Sequence, residues 1–191
     1  MFTIGYLRNG HPQLAHAMFN KSYQANIRPP FATWDEAGHQ KTANGSHNMS
    51  DDCGSAESLR IRHACKCGLK GGMCGATHFV TGPGGFLQAI THGYGGASLG
   101  DDALTLRPSL PDNADQLKLR HFAYLGVWLS LKVDTSGIVL EALLEGNSDR
   151  ARDLPLARLA VAAGGGPTKA LVPGQPLRFS AGATLTVRAS A

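Results

Sequence analysis

No run of about 18 apolar residues occurs in the 191-residue chain, so it offers no candidate membrane-spanning helix. The opening segment Met1-Phe2-Thr3-Ile4-Gly5-Tyr6-Leu7 has neither the basic start nor the long apolar stretch of a secretory leader, and reads as the middle of a helix. Charge is scarce too: Asp, Glu, Lys and Arg make up 17% of the residues and the net charge is +4. These charges are spread out, with no Lys/Arg run interleaved with aromatics, which argues against nucleic-acid binding. What the chain does have is 42% hydrophobic residues, enough for a core, and 24 glycines, which point to many turns. Its length suits one domain or parts of two.

Helical spacing runs over 11–25, where Leu14, Ala17, Met18 and Ala25 recur with Ala15, Phe19 and Tyr23 beside them. Pro12 suits the first turn. Arg28-Pro29-Pro30 stops the pattern, because proline disfavours helical geometry in the residue before it. Residues 2–8 read as the end of an earlier helix, with Asn9-Gly10 as its stop. A second helix is expected at about 84–92, capped by Thr81, with Pro83 in its first turn and Gly93 at its end. Phe86, Leu87, Ala89 and Ile90 make it apolar on most sides, which predicts burial.

Residues 39–75 contain all four cysteines and three of the eight histidines, but no Phe, Trp, Tyr, Val or Pro. Without a sustained period, this block reads as a loop or disordered insert. After Gly96 the pattern turns to strands. Leu104-Thr105-Leu106-Arg107, Leu117-Lys118-Leu119-Arg120, Val127 through Val133 and Leu185-Thr186-Val187-Arg188 alternate. Ile138-Val139-Leu140 and Leu156 to Ala163 read as two-sided or buried strands. Turn residues separate them at the spacing of a β-sandwich. Helices followed only by strands make an α+β chain of two architectural units, with a boundary near 95.

Three segments together resemble glycoside hydrolase family 65. They are Arg28-Pro29-Pro30-Phe31-Ala32-Thr33-Trp34-Asp35-Glu36, then Gly75-Ala76-Thr77-His78-Phe79-Val80-Thr81-Gly82-Pro83-Gly84-Gly85-Phe86-Leu87-Gln88-Ala89-Ile90, then Gly93-Tyr94-Gly95-Gly96 leading into Leu104-Thr105-Leu106-Arg107-Pro108-Ser109-Leu110-Pro111. The resemblance covers about 1–38 and 75–190. It implies the last helices of an (α/α)6 catalytic barrel in 1–38 and 75–95, followed by a C-terminal antiparallel β-sandwich domain in 96–191. The chain is then expected to be the tail of a larger enzyme. The departure is the block at 39–74, which is expected to be a translated intron or a lineage-specific insert. Joining Gly38 to Gly75 would restore the family's run.

The tryptophan-containing segment looks closest to the glucosidase and trehalase branch, since phosphorylases of the family carry a phosphate-binding sequence there. What this implies is an inverting hydrolase of an α-glucosyl bond, of the trehalose or glucosylgalactosyl-hydroxylysine type. Such enzymes need one carboxyl group to protonate the leaving oxygen and a second, roughly 6.5–9.5 Å away, to activate water. The resemblance makes Glu36 the base and places the acid upstream of the matched segments, so the chain alone is expected to be inactive. Read without the resemblance, Glu36 is a solvated loop acid. Asp35 is the neighbour to exclude, because adjacent residues in an extended segment point in opposite directions. Trp34 either lines the sugar site, its ring face against the C–H face of a pyranose, or belongs to the core. Phe31 and His78 read as structural. Glycines 82, 84 and 85 match no dinucleotide fingerprint and read as close backbone packing at a helix start.

Cys53, Cys65, Cys67 and Cys74 with His63 offer only one close pair, and its Cys-x-Cys spacing is tighter than structural zinc sites use, so no metal is expected. No cofactor is implied. Asn44-Gly45-Ser46 and Asn48-Met49-Ser50 match the glycosylation pattern, which matters only for a secreted chain. The expected partner is a small-molecule or protein-linked glucoside, with no nucleic acid and no membrane. Two other readings stay open: a disaccharide phosphorylase of the same family, and a non-catalytic carbohydrate-binding or structural β domain.

Overall fold

The structure is a computed structural model and describes residues 2–24, 26–28, 33–34, 80–143 and 158–190. Asp35, Glu36, the cysteine-bearing block and the turn at 145–147 lie outside the described residues. The chain divides into two compact units, residues 1–16 with 88–191, and residues 17–87.

Helix α1 spans Phe2–Arg8 and α2 spans Pro12–Gln24. The stop read at Asn9-Gly10 is a hydrogen-bonded C-cap. The Gly10 N–H donates to the Leu7 carbonyl at 3.2 Å and the His11 N–H to the Tyr6 carbonyl at 2.9 Å. Gly10 takes the left-handed conformation this closure needs, φ +75°. Two short strands follow, β1 Ile27–Arg28 and β2 Thr33–Trp34, paired antiparallel. Helix α3 spans Thr81–Gln88.

The expected helix at 84–92 is displaced and divided. Thr81 lies inside α3 rather than capping it, and Gly84 N–H bonds to the Val80 carbonyl. Pro83 still falls in the first turn, where a missing N–H breaks no helical bond. From Ala89 to Tyr94 the chain continues as a π-helical turn, closed by the Gly95 N–H on the Ile90 carbonyl at 2.7 Å. The burial expected of α3 is also not found: Leu87 is 61% exposed and no α3 residue is buried. Burial resumes only in the π turn, at Ala89, Gly93 and Tyr94.

Among its described residues the strand-rich unit carries nine strands: β3 Ala97–Leu99, β4 Leu104–Leu106, β5 Gln116–Tyr124, β6 Val127–Asp134, β7 Gly137–Ala142, β8 Leu159–Ala163, β9 Lys169–Leu171, β10 Leu177–Phe179 and β11 Leu185–Ala189. They form a four-stranded sheet, β10-β7-β6-β5, and a five-stranded sheet, β3-β4-β11-β8-β9, with antiparallel pairing throughout. Strand β6 shows why they pack. Val127, Leu129, Leu131 and Val133 are buried, while Trp128, Lys132 and Asp134 are half-exposed. Leu131 sits opposite Leu140 and Val133 opposite Ile138 across the β6–β7 ladder. Leu104, Leu106, Leu185 and Val187 of the other sheet join the same core. One core between two sheets is the β-sandwich expected from the turn spacing, and each fully buried Leu or Val contributes roughly 1.5–3 kcal/mol. Among the described residues α1, α2 and α3 do not make up a barrel, so that part of the expected fold remains with the resemblance. No helix among the described residues is long and apolar enough to cross a membrane.

The β6–β7 turn is fixed by one carboxylate. Asp134 accepts from the Ser136 hydroxyl, from the backbone N–H groups of Ser136 and Gly137, and from Lys132 Nζ at 2.9 Å. The Ser136 hydroxyl and then Lys132 hold its carboxyl well below the usual carboxylate range. A depressed carboxyl contributes stability above its unfolded value near 3.9 and loses it as pH falls through the folded value. Thermal melts at stepped pH should therefore show the gap between wild type and Asp134→Asn narrowing below about pH 4. A gap that stays constant there rules out the carboxylate as its source.

Candidate functional site

The 17–87 unit contains Trp34, the one residue singled out for the sugar site that the structure describes. Strand pairing sets Trp34 opposite Ile27. The indole is 9% exposed and sits in an aromatic cluster. Its ring lies 5.9 Å from Phe86, tilted by 57°. Phe86 in turn stacks on Phe19 at 5.2 Å and meets Tyr23 edge-on at 5.4 Å. Helical spacing places Phe19 and Tyr23 one turn apart on α2, their rings 5.1 Å from each other. Three separate sequence segments thus converge on one apolar cluster.

Gly82 makes that cluster possible. A Cβ at this position would fall 2.2 Å from Trp34 Nε1 and 2.4 Å from its Cδ1. The expectation that Gly82, Gly84 and Gly85 serve close backbone packing is corrected in two respects. The close neighbour is a side chain, and among the described residues a Cβ at Gly84 or Gly85 would meet nothing within 4 Å. Gly82→Ala should push the indole out of place and cost about 1–3 kcal/mol, the usual cost of overpacking. Tryptophan emission in a Trp128→Phe background reads the displacement; an unchanged spectrum and midpoint would show that the ring is not seated on Gly82.

The strand-rich unit contains a buried polar cluster that the sequence reading did not single out. His16, 7% exposed, bridges wholly buried Tyr94 and the exposed Asp112. His16 Nε2 lies 2.8 Å from the Asp112 carboxylate, and Nδ1 lies 2.8 Å from the Tyr94 hydroxyl. A carboxylate accepts, so Nε2–H donates to Asp112, and in the neutral ring Nδ1 accepts a hydrogen bond from the Tyr94 hydroxyl. The two rings also stack, 5.5 Å apart and 16° from parallel. This arrangement ties the first turns of α2, up to His16, to the π turn and to the loop after β4. His16 and Tyr94 are 78 positions apart, so no local spacing foretold it. Among the described residues no group of His, Cys, Asp or Glu is arranged to hold a metal ion.

No family model matches the chain. It is similar to proteins named protein-glucosylgalactosylhydroxylysine glucosidase from several animals and an amoeba. The zebrafish protein (Danio rerio) is 25% identical over 179 residues, 94% of this chain and 21% of that protein. The chicken protein (Gallus gallus) is 29% identical over 133 residues, 70% of this chain and 14% of its own length. That of Dictyostelium discoideum is 38% identical over 69 residues, 36% of this chain and 10% of its own. The chain therefore spans about a fifth or less of the length of these relatives. A solved structure titled putative kojibiose phosphorylase from human microbiome aligns over 94% of this chain and 19% of its own, with a TM-score of 0.48 and 13% identity. The sequence relatives, all bearing the name of a glucosidase, support a relation to the family 65 glucosidases.

Proposed function

We propose that this chain belongs to an inverting glycoside hydrolase that cleaves an α-glucosyl bond, with Glu36 as the base that activates water. The observation that carries this reading is the segment Trp34-Asp35-Glu36 followed by Gly75-Ala76-Thr77, in a chain whose relatives bear the name of a glucosidase. Trehalose and glucosylgalactosyl-hydroxylysine are the substrates of choice. Trp34 serves the sugar site through its position two residues before the base, whether by touching the sugar or by anchoring the segment in the Phe19–Tyr23–Phe86 cluster. The general acid comes from upstream of the matched segments, so the 191-residue chain alone is inactive.

Product analysis tests this. The protein made from the complete reading frame, incubated with each glucoside, should release glucose of inverted anomeric configuration without any need for phosphate, and the 191-residue chain should release none. Glucose 1-phosphate formed only when phosphate is present would replace the hydrolase by a phosphorylase. Sugar retention by residues 97–191 with no turnover in either protein would point to a binding domain instead.

A further inference from the structure

A cleft of about 570 Å³ lies between the end of α1, the π turn and the β3–β4 pair, well within the size range of small-molecule sites. Among the described residues its polar lining is Arg8, His92, Ser98, Thr105, Arg107 and Ser109, with no carboxylate. The strand register explains how these groups meet. Ser98 stands directly opposite Thr105. Leu104 and Leu106 point into the sandwich core, so alternation sends Thr105 and Arg107 to the other face, where the cleft is. His92 Nδ1–H donates to the Ala97 carbonyl at 2.9 Å, which leaves Nε2 of the neutral ring as an acceptor. Neither Arg8 nor Arg107 has a carboxylate partner among the described residues. A π-helical turn in the wall is a feature frequent at functional sites.

Two guanidinium groups without a carboxylate partner among the described residues disfavour a cation. A neutral sugar would use the three hydroxyls and leave both charges unanswered. We propose that this cleft binds a small organic oxyanion, a phosphate monoester or carboxylate carried on a hydroxylated body. Arg8 and Arg107 supply the charge for the oxyanion, since guanidinium forks match carboxylate and phosphate oxygens. Ser98, Thr105, Ser109 and His92 Nε2 bond to the hydroxyls of the body. None of these residues takes part in the proposed hydrolysis.

Calorimetric titration of the 191-residue chain with glucose 6-phosphate, gluconate and glucose tests the site. At least one anion should bind, with glucose weaker by about tenfold or more. Arg8→Gln and Arg107→Gln should each weaken anion binding about tenfold, and added salt should weaken it further. Both side chains are exposed, so the variants should keep the wild-type circular dichroism. Arg107→Lys, which keeps the charge without the fork, should fall between wild type and Arg107→Gln. Glu36→Gln should bind as wild type does. Which anion binds decides between phosphate and carboxylate. Equal binding of glucose, indifference to both arginine substitutions, no binding at all, or loss of binding in Glu36→Gln would each overturn the proposal.

Discussion

Replacing Glu36 by Gln in the protein made from the complete reading frame is expected to cut hydrolysis by about 10²–10⁴-fold, the usual contribution of a positioned general base. The substitution keeps the size and most of the hydrogen-bonding capacity of the side chain but removes the group that takes the proton from water. The loss should fall on kcat, because water activation belongs to the transition state and not to glucoside binding. Asp35→Asn is the internal control. Two neighbouring acids in an extended segment face opposite ways, so only one of them serves, and Asp35→Asn should retain most of the activity. Near-normal turnover by Glu36→Gln would remove the residue from the mechanism; a large loss in Asp35→Asn with Glu36→Gln active would move the role by one position. Thermal melts of both variants should match the wild type.

The strand-rich unit shows what the sequence made legible and what it hid. Alternation over Leu104–Arg107, Leu117–Arg120, Val127–Val133 and Leu185–Arg188 marked β4, β5, β6 and β11 because each strand turns one face to the core, buried in β4, β6 and β11 and half-buried in β5, and a period of two survives in the residue types. Leu159, Ala160 and Val161 of β8 are all buried, as a two-sided strand requires. In β7, by contrast, Val139 is half-exposed between buried Ile138 and Leu140, so the three-residue apolar run concealed an ordinary alternation. Strands β3, β9 and β10 were not foreseen. Each has three residues and forms the outer strand of its sheet, where burial makes the weakest demand on sequence, whereas the equally short β4 lies inside its sheet with Leu104 and Leu106 both buried. The irregularity of β5 between Leu119 and Phe122, with His121 at φ +57°, left no signature, since neither residue there is a glycine. The π turn escaped for another reason: its apolar residues look helical at any winding. At the candidate site, the sequence paired Trp34 with Glu36 by proximity along the chain. The aromatic cluster around Trp34 and the His16–Tyr94 pair arise from long-range packing that a single sequence does not encode locally.

Gly96→Ala is expected to be the most damaging small substitution in the strand-rich unit, costing at least about 4 kcal/mol, which only a specific structural insult reaches. Two separate causes act at this residue. Its φ of +65° lies in the left-handed region, which costs a residue with a Cβ roughly 1–2 kcal/mol. The added Cβ would also sit 2.1 Å from the Arg107 carbonyl oxygen and 2.3 Å from its carbon, and these atoms are backbone, with no rotamer to turn away. Relief requires β3 and β4 to separate just where the Arg107 N–H donates to the Gly96 carbonyl at 3.2 Å. The register next to this point places Ala97 opposite Leu106, and Leu106 is wholly buried. Movement there opens the core rather than a surface loop. This gives the Gly93-Tyr94-Gly95-Gly96 run a physical content: the chain leaves a π turn and enters a sheet within a few residues, passing against a neighbouring backbone. Urea or thermal unfolding of the 191-residue chain measures the loss, expected as a fall in melting temperature of roughly 8–16 °C at 2–4 °C per kcal/mol. A loss below about 1 kcal/mol would mean that the junction can relax without disturbing the core, and that the close approach of Gly96 to Arg107 is not required by the fold.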